Sequence, residues 1–476
     1  MKCWAAGKGN KTLGKKVRMS NRTFLGLSLA LWVFSFPFSP SVWSMAKRPP
    51  AEPKTPSKIL LPPLTLADGS KLALKQSEIV AIQKEAIKNA EAQFFKATSE
   101  ALGDVDFVIT NFQQDAPEGS GGGGSLNSTF SAQERRERKF VVSQPLFQGF
   151  KSLAALRGAG SLKRERREEW KRAKELLFLD VVRAFYGLLR YQKDLAILEA
   201  VHHLLEERIR DLGEREKIGR SRSSEVVTAR ARIKIIEAEQ ASLKGSAAAS
   251  RHLLEFLTGI SLENRKLQEE NLPEDAAPTL EILLPSVERR SDVQAAKEAL
   301  KIAWQNVIVA QSKLWPEVSL ENNDYVHREG FQSGFDWDLL LKVNVPLFRG
   351  GETVGAIKEA VSSWKKAKLT YLKTKREAEL EIKEAYENWH ASLDQSKALE
   401  EAVKASEENF HLQKEEYEHH LVNNLDVLAA LEALHQTRRD ANQIDYQMKT
   451  NYWSLQVAAG QGDSLANRPH NHRDLP

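Results

Sequence analysis

The sequence predicts a mostly α-helical fold with a smaller β part, built from two tandem structural repeats. Three observations support this. The phrase at 140–149 returns at 341–350, and Pro145 and Pro346 are 201 positions apart. Each copy leads into a long segment without proline. A hydrophobic content of 41% with 28% charged residues fits elongated helices better than several compact cores.

Alternation of apolar and polar residues within the repeated phrase predicts strands with two different faces. In the second copy, five apolar residues alternate with polar ones, and Leu340 is the exception. This pattern gives a strand one apolar and one polar face. The apolar positions are Trp337, Leu339, Leu341, Val343 and Val345, and the polar ones are Asp338, Lys342 and Asn344. Strands are expected at 105–113, 138–147, 316–326 and 335–347.

Long helices are predicted where good helix formers continue without proline. Two segments, 150–215 and 352–419, would each be roughly 100 Å long at a rise of 1.5 Å per residue. Ser224 is expected to cap the helix after the first turn, with Glu225 in its first turn. Shorter helices are expected at 71–102, 225–258, 292–314 and 426–459, with a connector at 260–290 that holds at most a short helix.

The N-terminus is interpreted as a secretory signal peptide, residues 1–46, because basic residues precede an apolar run that ends in small residues. A membrane anchor is the alternative, but about 15 apolar residues are short for a span. Met19 is an alternative start. The single cysteine, Cys3, lies before the apolar run, so no thiol chemistry is expected in the mature chain.

The rest of the chain divides into two repeats with short flanking segments. Residues 47–65 are proline-rich and are expected to be extended. The first repeat is placed at 66–259 and the second at 291–460. The polar tail, 461–476, is expected to be disordered.

Several functional classes are not supported by the residues. The net charge of +5 is small and the charges are mixed, so nucleic-acid binding is not indicated. No nucleophile, base and orienting group recur at catalytic spacing, so neither an enzyme nor a cofactor is predicted. His419 and His420 are adjacent on a helix end and point apart, so a metal site is not predicted.

The motifs, taken in order, resemble those of TolC-family outer-membrane efflux proteins, the outer membrane factors. The resemblance covers about residues 66–461. It is carried by the doubled Pro-Leu-Phe-x-Gly phrase, by Arg290-Ser291-Asp292-Val293, by Trp315-Pro316-x-Val318-Ser319 and by Leu425-Asp426-Val427-Leu428.

This resemblance implies a homotrimer. Four strands per chain would form a 12-stranded β-barrel in the outer membrane, continuous with a long antiparallel α-helical barrel that extends into the periplasm of a Gram-negative bacterium. The chain would be the passive exit duct of a tripartite efflux or type I secretion system. Its implied partners are a periplasmic adaptor protein, an inner-membrane pump of the RND, ABC or MFS type, and outer-membrane lipid.

The resemblance also implies roles for residues at the two helix turns. Asp426 matches an aspartate that narrows the periplasmic entrance, and Glu225 is its counterpart in the first repeat. An equal alternative is that both carboxylates only stabilise a helix N-terminus. Candidate adaptor contacts are Gly219, Arg220, Arg222, His420, Val422 and Asn423.

The doubled phrase is expected to form the passage from strand to helix. Gly149 and Gly350 fit a sharp passage where a positive φ is needed. The motif residues are Pro145, Phe147, Gly149, Pro346, Phe348 and Gly350.

Two alternatives from other classes are a periplasmic adaptor built on a helical hairpin and a structural coiled-coil spacer. The doubled unit and the two-faced strands argue against the adaptor. A spacer would show sustained heptads and no alternating strands.

Overall fold

The computed structural model describes residues 62–113, 134–263, 265–269, 272, 279–329 and 333–462. The expected signal peptide, most of the proline-rich segment and nearly all of the C-terminal tail lie outside these residues. Among the described helices, none has the length and apolar character required to cross a membrane.

The described part is mainly helical, as the sequence predicts, and its strands form one antiparallel sheet. The two longest helices, α3 and α7, have 67 residues each. The helices are α1 (Leu66–Gln76), α2 (Glu78–Leu102), α3 (Lys151–Lys217), α4 (Ser223–Thr258), α5 (Leu280–Leu283), α6 (Ser291–Ser312), α7 (Glu352–Glu418) and α8 (Asn424–Ala458), with a 3-10 helix at Leu284–Arg289. The strands are β1 (Asp104–Gln113), β2 (Glu134–Gln148), β3 (Glu317–Arg328) and β4 (Trp337–Asn344).

The N-terminal helical region differs from the single helix expected at 71–102. It starts earlier, at Leu66, and is divided at Ser77 into α1 and α2. The hydroxyl of Ser77 accepts a hydrogen bond from the Val80 amide at 3.4 Å and so begins a new helix. Thr65 caps α1 in the same way through the Asp68 amide.

Strand β4 is shorter than the 335–347 range expected from sequence. It ends at Asn344, before Pro346, which has no amide hydrogen to donate to a neighbouring strand. Similarly, α6 ends at Ser312 rather than at 314.

The sheet has the strand order β1-β2-β3-β4, so β1 and β4 are its edges among the described strands. Residues paired across antiparallel strands share a face. One row across the sheet is Phe107, Phe140, Asp324 and Trp337, and the next is Val105, Val142, Asn322 and Leu339.

One face of the sheet is largely apolar and exposed. Its polar members include Asn322 and Asp324 on β3, Arg138 on β2 and Asn111 on β1. The contributing side chains are Val105, Phe107, Ile109, Phe140, Val142, Trp337, Leu339, Leu341 and Val343, each at least 39% exposed. This matches the face assignment that the alternation in the second repeat predicts.

The helices pack around a core near the middle of α3. Here α3 contributes a run of buried side chains that contact α1, α4 and α8. The Arg290 guanidinium is also buried, at 1% exposure. It binds both carboxylate oxygens of Asp292, at 3.0 and 2.6 Å, and Glu381 at 2.5 Å. It also donates to the Ala458 carbonyl at 3.2 Å, so one side chain joins α6, α7 and α8.

The passage from strand to helix differs in packing between the repeats. Gly149 and Gly350 both have positive φ, +58° and +57°. A Cβ on Gly149 would lie 2.7 Å from the Ser312 carbonyl and 2.7 Å from the Trp315 Cβ, whereas one on Gly350 would meet nothing within 4 Å. The first passage is therefore closely packed within the chain, and the second is open.

We expect Gly149→Ala to lower the thermal unfolding midpoint, measured by far-UV circular dichroism on the purified protein. A non-glycine residue with left-handed φ costs about 1–2 kcal/mol, and the contact with Ser312 adds to this. The control is Gly245→Ala in α4, where a Cβ meets no atom within 4 Å and alanine favours the helix by about 1 kcal/mol. Equal midpoints for the two variants would contradict the packing at Gly149.

Candidate functional site

The turns that join α3 to α4 and α7 to α8 have the same backbone geometry. Gly219 has φ +75°, and His420, 201 positions later, has φ +60°. In each turn the next amide donates to a carbonyl five residues earlier, as at a glycine-terminated helix end. These bonds are Arg220 to Arg215 at 2.8 Å and Leu421 to Glu416 at 2.9 Å.

His420 therefore occupies a backbone conformation that glycine adopts in the first turn. Histidine is among the residues that enter this region more often than most. The two turns therefore differ in sequence but follow the same backbone path.

The helix after each turn begins in a different way. In α8, Asn423 and Asp426 form a capping box: the Asn423 amide donates to the Asp426 carboxylate at 3.0 Å, and the Asp426 amide donates to the Asn423 side chain at 3.2 Å. In α4, the expected cap at Ser224 is wrong, because the helix starts at Ser223 after Arg222. Glu225 lies in the first turn and accepts from the Ser221 hydroxyl at 2.7 Å.

The geometry gives Asp426 a structural role that requires no gate. Its carboxylate is exposed and caps α8. A gating role for Asp426 and Glu225 remains a prediction.

Most of the expected adaptor contacts lie on the surface of the two turns. Val422 is half-buried and packs against the apolar side chains described below. The exposed ones are Gly219, Arg220, Arg222, His420 and Asn423.

Just before the turns, two arginines of α3 flank the ring of Tyr417 on α7. The Arg208 guanidinium lies 3.8 Å from the ring centroid, and that of Arg215 lies 5.1 Å from it. Asp211 bonds both arginines, at 3.2 Å and 2.9 Å. The ring is only 8% exposed, so the cation–π contacts are partly shielded from water.

Arg208 also reaches α8, because its Nε donates to the Asn424 side-chain oxygen at 2.9 Å. Asn424 is fully buried. We call Arg208, Asp211, Arg215, Tyr417 and Asn424 the tip cluster. It joins the end of α3 to the α7–α8 turn.

An apolar group lies beneath the tip cluster and completes the contact between the two turns. Its buried members come from all four helices: Leu212, Val226, Ala229, Tyr417 and Val427. Burial lowers the pKa of the Arg208 guanidinium, whereas the hydrogen bond to Asp211 raises the pKa of the Arg215 guanidinium. Both arginines remain charged at neutral pH.

Sequence reasoning missed the tip cluster. Arg208, Asp211 and Arg215 are spaced by three and four residues, which places them on one helix face, and this was a usable signal. The contacts with Tyr417 and Asn424 had no such signal, because they join positions about 200 residues apart.

The polar face of the sheet carries a connected set of side chains. Asp338 accepts from the Asn323 amide at 2.8 Å and from the Tyr325 hydroxyl at 2.8 Å. The Arg328 guanidinium lies 3.4 Å from the Glu137 carboxylate, which is 7% exposed. The sheet thus combines an exposed apolar face with a hydrogen-bonded, charged one.

The strand-to-helix phrases do not come together in one site. Phe147 packs edge-on against Phe150 and Trp315, at centroid distances of 5.6 and 6.5 Å. Phe348, its counterpart, is 88% exposed. Among the described residues, no group of three or more His, Cys, Asp or Glu side chains is placed to hold a metal ion.

Comparison with known proteins agrees with this arrangement. Residues 286–461 match the family model for outer membrane efflux proteins. The chain is 24% identical over 247 residues to the cation efflux system protein CusC of Escherichia coli (strain K12), covering 49% of this chain and 53% of CusC. It is 21% identical over 332 residues to the outer membrane protein TolC of Vibrio cholerae, covering 67% of this chain and 75% of TolC.

The chain therefore spans about half the length of the CusC relatives that it matches. Among solved structures, the outer membrane protein VceC of Vibrio cholerae superposes with a TM-score of 0.73 at 21% identity. The superposition covers 83% of this chain and 96% of VceC, so the two share a fold. The chain is therefore similar to outer membrane efflux proteins in the sequence of residues 286–461 and in fold.

Proposed function

We propose that the chain is the exit duct of a tripartite efflux or type I secretion system. It would conduct substrate passively from an inner-membrane pump and a periplasmic adaptor across the periplasm and the outer membrane. The observation that carries this proposal is the sheet with one exposed apolar face and one polar face, joined directly to very long helices. Such a sheet suits a wall between lipid and a watery channel.

The wall would be closed by three copies of the chain. β1 and β4 each have one unpaired edge among the described strands, and open edges cannot remain within a membrane. Four strands from each subunit of a homotrimer would give a closed barrel of twelve.

The helices would form the periplasmic part of the duct. α3 and α7, with 67 residues each, are about 100 Å long at 1.5 Å per residue. α2 and α4 both contact α3, while α6 and α8 both contact α7. Two shorter helices therefore accompany each long one, which supports a continuous helical wall.

The entrance would lie at the two turns. The tip cluster holds the α7–α8 turn against α3, so its contacts favour a closed arrangement of the helix ends. Asp426 and Glu225 would supply negative charge at this entrance. The exposed turn residues would contact the periplasmic adaptor, and the pump would be of the RND, ABC or MFS type.

The adaptor and spacer alternatives are not favoured. Neither gives a role to an exposed apolar sheet face, and neither accounts for the doubled unit.

The proposal predicts that the protein fractionates with the outer membrane and forms ion-conducting channels when the detergent-purified protein is added to planar lipid bilayers. Recovery in the inner-membrane or soluble periplasmic fraction, or a protein that inserts without conducting, would contradict the exit-duct function.

We expect Arg208→Ala to increase the conductance of these channels. The substitution removes a hydrogen bond to a charged group, worth about 2 kcal/mol, and this would raise the ratio of open to closed entrances roughly tenfold or more. The control is Arg210→Ala, an exposed arginine two residues further along α3. If both variants conduct like the wild type, the tip cluster does not hold the entrance closed.

We expect Asp426→Asn to reduce the preference of the channel for cations, seen as a smaller reversal potential in a salt gradient. Asparagine can still cap or support the helix start, so the turn should persist. The control is Asp440→Asn, an exposed aspartate further along α8. An unchanged reversal potential would leave Asp426 with its capping role alone.

A further inference from the structure

The contact between the first and second repeats within one chain indicates how two copies of the chain would pack against each other. Ser143 on β2 corresponds to Asn344 on β4, because their repeats are 201 positions apart. Ser143 pairs with Asp104 on β1, and Asn344 pairs with Glu317 on β3. β1 and β3 are therefore related by a second, larger offset of 213 positions.

The larger offset also holds for the helices that precede these strands. α2 begins at Glu78 and α6 begins at Ser291, which are 213 positions apart. The ion pair of Lys88 with Glu85, at 2.7 Å, recurs as the ion pair of Lys301 with Glu298.

Contacts of these helices with the long helices follow the same rule. Glu91 on α2 binds Lys163 on α3 at 2.8 Å. In the second repeat, Glu91 corresponds to Trp304 by the offset of 213, and Lys163 corresponds to Trp364 by the offset of 201. The rings of these two tryptophans lie 5.5 Å apart. The two repeats thus share one arrangement, although its side chains differ.

Within one chain, the first repeat's β2 and α3 pack against the second repeat's β3 and α6. Arg164 binds Glu298 at 2.9 Å, and Glu298 is only 8% exposed. At the sheet, Val142 pairs with Asn322. We call this contact the internal interface.

The corresponding surfaces at the two ends of the chain are open. Lys365 corresponds to Arg164, and it is exposed. Glu85 corresponds to Glu298, but its side chain is 67% exposed. Phe348 and Leu102, which correspond to Phe147 and Trp315, are 88% and 70% exposed.

We propose that β4 and α7 bind β1 and α2 of a second copy in the register of the internal interface. The proposal rests on the proposed function and specifies the partner contact. In the internal interface, Val142 pairs with Asn322. Val142 corresponds to Val343 by the offset of 201, and Asn322 corresponds to Ile109 by the offset of 213. Val343 would therefore lie opposite Ile109 of the partner subunit. The same step places Lys365 beside Glu85 of the partner subunit.

The residues brought together are chemically matched. Val343 and Ile109 are both exposed apolar residues, at 56% and 66%. Lys365 and Glu85 have opposite charges, as Arg164 and Glu298 do in the internal interface.

The register also accounts for Leu340, which breaks the alternation of β4. In the internal interface, Lys139 on β2 corresponds to Leu340 and pairs with Tyr325 on β3. Tyr325 corresponds to Phe112 on β1, so Leu340 would lie opposite Phe112 of the partner subunit. Leu340 and Phe112 are 50% and 47% exposed, so two apolar side chains on the polar face would cover each other.

Disulfide cross-linking tests this register in a chain that carries Cys3→Ser. Val343→Cys with Ile109→Cys is expected to shift the non-reduced band from one chain to two and three. The matched control is Val343→Cys with Asn111→Cys, which is two residues out of register on the same face, where Cβ atoms are about 7–8 Å apart. Equal or stronger cross-linking of the control would overturn the proposal.

A second measurement does not depend on cysteine oxidation. Lys365→Glu and Glu85→Lys are each expected to lower the temperature at which the native oligomer dissociates, and their combination is expected to restore it. Absence of restoration, together with absence of the cross-link, overturns the register. The native mass in detergent separates this failure from that of the proposed function: a trimer without these contacts refutes only the register, and a single chain refutes both.

Discussion

The unpaired edges of β1 and β4 are the constraint on which the architecture depends. Hydrogen-bonding groups along a strand edge need partners, above all where lipid replaces water. Within the described residues, each chain supplies a sheet whose outer strands are paired on one side only. The exposed apolar face of that sheet also needs a partner, because a surface of this kind is stable when it is covered by lipid or by another protein.

The repeats are alike in backbone and different in side-chain environment. Gly149 is enclosed by the end of α6 and by Trp315, which lies between α6 and β3, whereas Gly350 has open space around it. Both keep a positive φ, so the passage from strand to helix has the same path in each repeat. The turn residues Gly219 and His420 show the same relation. Backbone geometry is thus common to the repeats, and side-chain packing depends on what lies beside them.

The ends of the helices and the middle of the helices are held by different interactions. Near the middle, buried apolar side chains and the enclosed Arg290 fix α6, α7 and α8 together. At the turns, the apolar group is small, and charged side chains around Tyr417 supply much of the contact. A small apolar group combined with polar contacts opens more readily than a large core. In the proposed duct, this contrast would let the turns open while the middle stays fixed.

The sequence by itself determined the repeat, the long helices and the two-faced strands, because each of these is recorded in the spacing of nearby residues. The positive φ at Gly149 and Gly350 was also predictable, since a sharp passage from strand to helix favours glycine. The tertiary structure alone decided that Arg208 reaches Tyr417 and Asn424, and that Arg290 binds Glu381. Those contacts join residues far apart in the chain, and no local period records which distant side chain a helix face will meet.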